Sequence, residues 1–338
     1  MRLNKIDIEN IKDKVKDKKI GVIGDGCLDI YWRADMKLSK LSRETPHYPL
    51  PIVEEKFSLG GASNVVNNLF TLGANIEFLT VIGNDWRGRE FLHIINNMNL
   101  DDQYILVDNS RITPTYCKPI RSGISEVVYE DPRLDFENRT PINSELEDKI
   151  IENLKIMSKN IDILIVSDQF HYGIMTDKVI STLFQLKKKG LEIVVDSREN
   201  IVKYKGLFIK PNEVEVFELL DISPKTSTSV DDFIEYAKEL REINQNDMII
   251  TLGKSGAILI EEENIIHIPT IKATGEIDIV GCGDAFISGF SLGLLARLSK
   301  QKSIELANII AGITIKKIGT TGDATLEEVI EKYERFEK

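Results

Sequence analysis

The residues with the clearest potential for chemistry lie near the C-terminus, where residues 278–284 read Asp-Ile-Val-Gly-Cys-Gly-Asp and a predicted helix over residues 285–298 follows. The first N–H groups of a helix have no partner within it and lie at the positive end of its dipole. Glycine lets such a backbone approach a ligand closely, so Gly281, Cys282 and Gly283 predict an anion pocket. Asp284 stands where it could take a proton from a group that attacks the anion. The simpler interpretation is a strand-to-helix turn in which this aspartate only caps the helix.

A second set of polar and glycine residues lies in the N-terminal part of the chain. Asp29 follows an apolar strand over residues 19–24, at the end of the strand where open α/β sheets bind ligands. Its carboxylate suits the hydroxyl groups of a sugar, and a turn or capping role explains it equally well. Gly60 and Gly61 precede a predicted helix and bring the backbone close to a ligand, and Asn64 offers both a donor and an acceptor.

The elements that would position these residues alternate along most of the chain. Apolar strands and helices follow each other from about residue 144 to residue 251, which is typical of a parallel sheet covered by helices. Polar residues collect after the predicted strand ends, namely Asp168, Asp196, Arg198, Asn212, Glu215 and Thr251. Because open α/β sheets bind ligands outside the carboxyl ends of their strands, we expect these side chains to border a ligand site.

Two segments depart from this alternation. Residues 31–58 contain three prolines and read as largely irregular, and residues 105–136 show a β pattern without a helical partner. We expect lid segments at about residues 31–58 and 111–140 to form a small β sheet over the ligand end of a single domain that spans residues 1–338. Lys118 and Arg121 would lie on this sheet, although a solvated surface is the commoner place for such charges.

Two nucleotide-binding motifs are incomplete. Residues 24–26 read Gly-Asp-Gly, but the dinucleotide fingerprint G-x-G-x-x-G needs a third glycine at the position of Asp29. Residues 253–255 read Gly-Lys-Ser, but a P-loop needs a glycine at the position of Met248. Neither motif is present, while Gly253 and Gly256 still favour a close approach of a ligand.

Composition and charge exclude several classes of protein. The chain has 338 residues, of which 42% are hydrophobic and 29% are charged, as in an ordinary globular protein. A net charge of −11 argues against nucleic acid as a partner. Three scattered cysteines give neither a disulfide framework nor a cysteine zinc site. With no signal peptide and no long apolar run, the expectation is a cytoplasmic protein with no membrane partner.

In their order and spacing, these motifs resemble the ribokinase-like carbohydrate kinases of the PfkB family. The four features are Asp29 after the first strand, Gly-Gly-x-x-Asn at 60–64, Asn-x-x-Glu at 212–215 and Asp-x-x-Gly-x-Gly-Asp at 278–284. Within that family the heptose-7-phosphate kinases are most similar, on Pro-Ile-Val at 51–53, Leu-Asp-Phe-Glu at 134–137 and Lys-Pro-Asn at 210–212. The resemblance implies a three-layer α/β/α fold with a mostly parallel central sheet and a small β-sheet lid.

The resemblance also implies a role for each residue. Asp284 matches the catalytic base, and Gly281, Cys282 and Gly283 match the anion hole for the γ-phosphoryl group of ATP. Contacts to the sugar match Asp29, Gly60, Gly61 and Asn64, with Lys118, Arg121 and Arg198 as candidates for a substrate phosphate. The nucleotide site matches Asn212, Glu215, Thr251, Gly253, Gly256 and Asn308. Glu215 would contact Mg²⁺ through water, and Asp278 with the loop at 319–322 matches a K⁺ site of many members.

Three departures bear on the substrate and on redox chemistry. The middle residue of the anion hole is usually Ala, and here Cys282 predicts a thiol with a lowered pKa that oxidants could reach. Heptose kinases usually show Asp-Pro-Lys where residues 196–198 read Asp-Ser-Arg, and they have a Lys- or Gly-containing turn where residues 169–171 read Gln-Phe-His. These departures keep open another sugar, nucleoside or fructose-phosphate kinase of the same family.

Two further expectations concern activity and assembly. A non-catalytic sugar- or nucleotide-binding sensor would be expected to lack the base or the glycine pair, and both are present. The resemblance implies a homodimer that pairs through the lid. No His-x-Gly-His motif of an adenylyltransferase domain is present, so a kinase alone is expected.

Overall fold

A computed structural model of the chain describes residues 2–123, 127–198, 200–224, 228–271, 273–319 and 321–336. The strands are β1 (Lys19–Gly24), β2 (Gly26–Asp35), β3 (Ile52–Gly61), β4 (Asn75–Gly83), β5 (Ile105–Asp108), β6 (Thr115–Ser122), β7 (Tyr129–Glu130), β8 (Leu134–Phe136), β9 (Ile163–Asp168), β10 (Glu192–Ser197), β11 (Phe208–Ile209), β12 (Met248–Thr251), β13 (Ala257–Ile260) and β14 (Ile265–Ile268).

The helices are α1 (Lys5–Glu9), α2 (Ile11–Val15), α3 (Ala62–Thr71), α4 (Trp86–Asn97), α5 (Ser144–Met157), α6 (Asp177–Lys188), α7 (Glu213–Leu220), α8 (Val230–Asn244), α9 (Cys282–Leu295), α10 (Lys300–Thr314) and α11 (Leu326–Phe336). The longest of these described helices have 15 residues, fewer than the roughly 20 that cross a bilayer, and none meets the length and hydrophobicity of a membrane span.

The larger sheet is mostly parallel, as the alternation of strands and helices predicts. Within the described residues its order is β14-β13-β12-β11-β10-β9-β1-β4-β5, and only the β12–β13 and β13–β14 pairs are antiparallel. Its central strands are buried almost throughout, which explains their continuous apolar sequences. Alternate residues of β9 contribute to two separate apolar clusters, with α3, α9 and α10 on one face and α5 to α8 on the other. The three-layer α/β/α architecture is thus confirmed.

The smaller sheet has the order β3-β2-β6-β7, with β8 paired to β6. Residues 31–58 are irregular only in part: residues 36–51 contain no strand, whereas β2 continues to Asp35 and β3 begins at Ile52, and the two strands pair in antiparallel register. β5 is not part of the small sheet, since it pairs in parallel with β4 at the edge of the large sheet.

The start of α9 also differs from the sequence prediction. The helix begins at Cys282, three residues before the predicted start, and ends at Leu295. Gly281 is its N-cap residue and has a φ of 75°, a left-handed conformation that favours glycine. A Cβ on this residue would lie 2.7 Å from the side-chain nitrogen of Asn64, so both conformation and space require glycine there.

Candidate active site

The side chains of Asp284 and Asn64 meet where α9 and α3 begin. Asn64 Nδ2 donates a hydrogen bond of 2.7 Å to Asp284 Oδ2, so the asparagine expected to contact a sugar also orients the predicted base. Burial raises the pKa of the Asp284 carboxyl to about 7, and the negative charge of Asp196 adds to the rise. The Asn64 hydrogen bond and the charges of Lys210 and Arg198 oppose it. A carboxyl group with this pKa can act as a general base near neutral pH.

A buried ion pair lies next to the glycines of this motif. Lys210 Nζ is 3.0 Å from Asp196 Oδ1, and both residues are almost inaccessible to solvent. A Cβ on Gly283 would be 3.9 Å from Lys210 Nζ and from Asp196 Oδ2. Sequence analysis placed Asp196 at a strand end and gave Lys210 no role. Its position could have indicated a role in the site, because Lys210 comes directly after β11, at the edge of the sheet where the other polar residues collect.

The three amides predicted to form the anion hole are not equivalent. The Cys282 N–H donates to the Ile279 carbonyl at 3.2 Å. For the amides of Gly281 and Gly283 the described part of the chain offers no acceptor. Two N–H groups at the start of α9 therefore remain for an anion.

The Cys282 thiol differs from the sequence expectation. Burial raises its pKa, and the negative charge of Asp284 acts in the same direction, while Lys210 lowers it. The lowered pKa predicted for a thiol at a helix N-terminus is wrong, because burial of the thiol disfavours the charged thiolate and has the largest effect on its pKa. The side chain is partly buried and packs against the core cluster around α9.

Asp29 and Lys118 form the polar centre of the small sheet. Lys118 Nζ donates to Asp29 Oδ2 at 2.8 Å and to the Tyr31 hydroxyl at 3.1 Å, and the aspartate and lysine are 3% and 8% exposed. The other carboxylate oxygen, Asp29 Oδ1, is buried and has no hydrogen-bond partner in the described structure. A Cβ on Gly60 would come within 2.7 Å of this oxygen, so glycine is needed for β3 to pass it. An unpartnered buried acceptor of this kind is suited to a hydroxyl donor.

Arg121 and Arg198 occupy different surroundings from Lys118. Arg121 is three residues further along β6, so its side chain leaves the opposite face of the sheet, and it forms an ion pair of 2.6 Å with Asp131. The structure does not bring it to Asp29. Arg198 is exposed at the end of β10, its N–H donates to the Asp168 carbonyl, and its charge reaches Asp284.

The residues expected to bind the nucleotide lie together beyond β11, β12 and β14. Asn212 and Thr251 form an isolated parallel bridge, and the Thr251 N–H donates to the Pro211 carbonyl. Gly256 has a φ of 91°, and a Cβ there would come within 2.2 Å of the Ile268 carbonyl oxygen. Asn308 Nδ2 donates to the same oxygen at 3.5 Å. Gly253, which also has a positive φ, begins the turn between β12 and β13.

Glu215 is buried, and both of its carboxylate oxygens accept hydrogen bonds at the start of α7. Its two oxygens accept from the Asn212 backbone N–H at 2.8 Å and from Asn212 Nδ2 at 2.7 Å. Burial raises the pKa of this carboxyl to about 7, with the charge of Asp196 adding to the rise and Lys210 opposing it. No group of three or more His, Cys, Asp or Glu side chains suited to a metal occurs among the residues described. A divalent ion here would therefore need phosphate oxygens and water as its main ligands.

Asp278 joins the loop before α9 to the loop after α10. Its carboxylate accepts from the Val280 N–H and from the Gly319 N–H, each at 3.0 Å. The two segments expected to hold K⁺ are thus adjacent, although Thr320 in the predicted loop at 319–322 lies outside the described residues.

Two buried carboxylates, Asp25, which was given no role from the sequence, and Asp168, which was expected to border the ligand site, hold neighbouring loops. Asp25 accepts three backbone hydrogen bonds of 2.8–3.0 Å from Gln169, Phe170 and Ile174. Asp168 accepts from Ser197, Asn200 and Tyr204, and so fixes the segment that carries Arg198. Aspartates at strand ends are common, and their sequence context gave no sign of these partners.

Comparisons with known proteins identify the family of this chain. The model of the pfkB family of carbohydrate kinases matches residues 30–326. The chain belongs to this family. It is similar to the bifunctional protein HldE of Aliarcobacter butzleri, at 31% identity over 320 residues, which are 94% of the chain but only 64% of that protein.

Solved structures share the fold at lower identity. Phosphofructokinase-2 from Escherichia coli, in complex with substrates and products, has a TM-score of 0.74 and 17% identity over 95% of this chain and 100% of its own. Ribokinase from Thermotoga maritima has a TM-score of 0.68 and 20% identity over 94% of this chain and 99% of its own. These neighbours confirm the ribokinase-like fold predicted from the motifs.

Proposed function

We propose that this carbohydrate kinase transfers the γ-phosphoryl group of ATP to a hydroxyl of a heptose 7-phosphate. The observation that carries the proposal is the arrangement at the start of α9. There a carboxyl with a pKa of about 7 stands beside two amides without acceptors. A base and an anion site in contact are what transfer of a phosphoryl group to an alcohol requires.

In the proposed reaction, Asp284 takes the proton of the sugar hydroxyl as its oxygen attacks the γ-phosphorus and the bond to ADP breaks. The Gly281 and Gly283 amides then stabilise the charge on the transferring group, with the Cys282 amide joining them if it leaves the Ile279 carbonyl. Asn64 keeps the carboxylate oriented. Mg²⁺ bound with ATP would neutralise phosphate charge, and Glu215 suits a contact through its water. We also propose a K⁺ ion near Asp278, and this proposal rests only on the resemblance to the family.

The small sheet supplies the proposed sugar contacts. The unpartnered Asp29 Oδ1 would accept a sugar hydroxyl, and the ion pair with Lys118 holds that carboxylate in place. Lys118 and Arg198 are the cations we assign to the substrate phosphate, since both suit phosphate oxygens. The small sheet would then act as the lid of a single kinase domain.

The test is release of ADP from Mg-ATP with a panel of sugars and sugar phosphates that includes D-glycero-D-manno-heptose 7-phosphate. Turnover on that compound alone supports the proposal, as does the similarity to the HldE proteins. Turnover on another panel member would retain the kinase chemistry and reassign the sugar. It would also show that the departures at residues 169–171 and 196–198 changed the substrate specificity. Nucleotide binding without any turnover would favour a sensor.

We also propose a homodimer that pairs through the small sheet. Several of its apolar side chains are exposed, among them Ile52, Val53, Tyr129 and Leu134. Contiguous exposed apolar residues are typical of a protein interface. Sedimentation that gives only monomer at micromolar concentration would contradict this. A dimer that Val53→Lys converts to monomer would support it.

A further inference from the structure

Lys210 is a buried cation in a setting dominated by carboxylates. It is 4% exposed, and burial lowers its pKa, but the charges of Asp196, Glu215 and Asp284 outweigh burial and raise it. Lys210 is therefore protonated at neutral pH. An ammonium group has three N–H donors, and within the described structure one ion pair, with Asp196, accounts for at most part of them.

The ammonium group of Lys210 lies next to the anion site. The Nζ atom lies 3.9 Å from where a Cβ on Gly283 would stand, so it borders one of the two amides without an acceptor. Asp196, on β10, forms the ion pair with this group, and its Oδ2 lies equally near Gly283, 3.9 Å from the same Cβ position. Lys210 itself follows β11, so two neighbouring strands of the large sheet fix the ion pair.

We propose that Lys210 is a further catalytic residue, whose ammonium group contacts an oxygen of the transferring phosphoryl group, and that Asp196 is its positioning residue. This inference rests on the proposed kinase function. A fixed cation beside the amides would stabilise negative charge that develops during transfer. It would also offset the repulsion between the phosphates and the carboxylates of Asp196, Glu215 and Asp284.

The competing explanation is purely structural. In that case the ion pair only joins the ends of β10 and β11, and removal of either charge harms folding because its partner stays buried and unpaired. The two explanations differ for a variant that lacks both charges. The experiment therefore compares wild type, Lys210→Met and the double variant Lys210→Met/Asp196→Asn. Lys300→Met serves as a control, because Lys300 forms a partly buried ion pair with Asp247 outside the site.

The first measurement is turnover on the sugar that the wild type uses best. We expect Lys210→Met to reduce kcat by about 10²- to 10³-fold, as for loss of one oxyanion donor, with the sugar KM changed by less than about 3-fold. Lys300→Met should stay within about 3-fold of wild type in kcat. The double variant should remain as impaired as Lys210→Met. Recovery of kcat in the double variant would overturn the proposal, because the lysine would then only neutralise Asp196.

The second measurement does not depend on knowing the sugar. Aluminium fluoride with Mg-ADP mimics a phosphoryl group in transfer, so its addition should tighten ADP binding to wild type and to Lys300→Met, measured by calorimetry. Lys210→Met should bind Mg-ADP with wild-type affinity, but aluminium fluoride should no longer increase that affinity. Equal increments in wild type and Lys210→Met would overturn the proposal. If the wild type phosphorylates no sugar, the proposed function fails, and this comparison still decides the role of Lys210.

Discussion

The two sheets contribute different kinds of residue to the site. Asp196 lies at the end of one strand of the large sheet and Lys210 directly after another, and this sheet lies between two extensive apolar clusters, while Asp284 stands on α9, which packs into one of these clusters. On the small sheet, Asp29 and Lys118 stand over a cluster with only three fully buried apolar members, Leu28, Ile30 and Cys117. A region with little buried apolar surface opens more easily than a well-packed one. The comparison therefore indicates fixed chemistry on one sheet and adaptable recognition on the other.

This difference has a kinetic consequence. In the proposed mechanism, residues at the large sheet contact the group that reacts, so their substitution should act mainly on kcat. Residues on the small sheet are proposed to hold parts of the sugar that do not react, so their substitution should act mainly on its KM. Substitutions in each region test this division.

The largest effect is expected for Asp284→Asn. Without a base the hydroxyl keeps its proton, and kcat should fall by about 10³- to 10⁴-fold, near the upper range of general base catalysis. Nucleotide affinity, measured by calorimetry, should stay within about 3-fold of wild type, since the amide keeps the shape of the site. Asp162→Asn is the matched control. Asp162 accepts from the Lys19 N–H beside the start of β9, whereas the candidate site lies at the carboxyl end of the large sheet's strands. Wild-type turnover in Asp284→Asn would remove this residue from the mechanism.

The next effect is expected for Lys118→Met on the small sheet. Asp29 would lose its partner while staying buried, and its carboxylate would no longer be held toward the sugar. We expect the sugar KM to rise by at least about 10-fold, the size of one charge-assisted hydrogen bond, with a smaller change in kcat. Steady-state kinetics at saturating ATP would measure both.

Arg121→Met tests whether this effect belongs to one face of the small sheet. Its ion pair with Asp131 lies on the face opposite Lys118, so the sugar KM should change by less than about 3-fold. An equal rise in KM in both variants would instead place Arg121 at the substrate, as the sequence predicted.

A moderate effect is expected on the pH dependence of kcat/KM. Because the pKa of Asp284 is raised to about 7, the base is protonated below that pH, and activity should fall as pH decreases through about 7. The Asn64 hydrogen bond lowers this pKa, so Asn64→Ala should move the acidic limb to higher pH. Asn67→Ala, one turn along the same helix, should leave it in place. An unchanged limb in Asn64→Ala would show that another group controls it.

The smallest effect is expected for Cys282→Ala. Only the backbone of this residue is proposed to act, and the raised pKa of its thiol argues against a reactive thiolate at neutral pH. The kcat should stay within about 3-fold of wild type. Iodoacetamide should modify wild type slowly, which mass spectrometry can follow. Rapid alkylation with loss of activity would contradict the buried, protonated thiol described above.

Much of the fold could be predicted because its signals are local. The buried strands β9 and β10 are continuous apolar runs in the sequence, and α7 begins after a capping asparagine and carries an apolar face. The small sheet was harder to predict, since β3 is largely exposed and β7 and β8 are very short, so their apolar pattern is weak. The place of β5 depends on pairing with β4, which no local pattern encodes.

For this protein, the amino-acid sequence alone determined the family, the glycine motif at residues 281–283 and the aspartate beside it, because backbone conformation and motif spacing are properties of neighbouring residues. Only the tertiary structure decided which side chains meet. The bond between Asn64 and Asp284 joins residues 220 positions apart. Lys210 comes beside Gly283 through the packing of α9 against the sheet, and Cys282 has a raised pKa because that packing removes water. These contacts and pKa shifts depend on burial and on partners that are distant in the sequence, so residue spacing along the chain does not predict them.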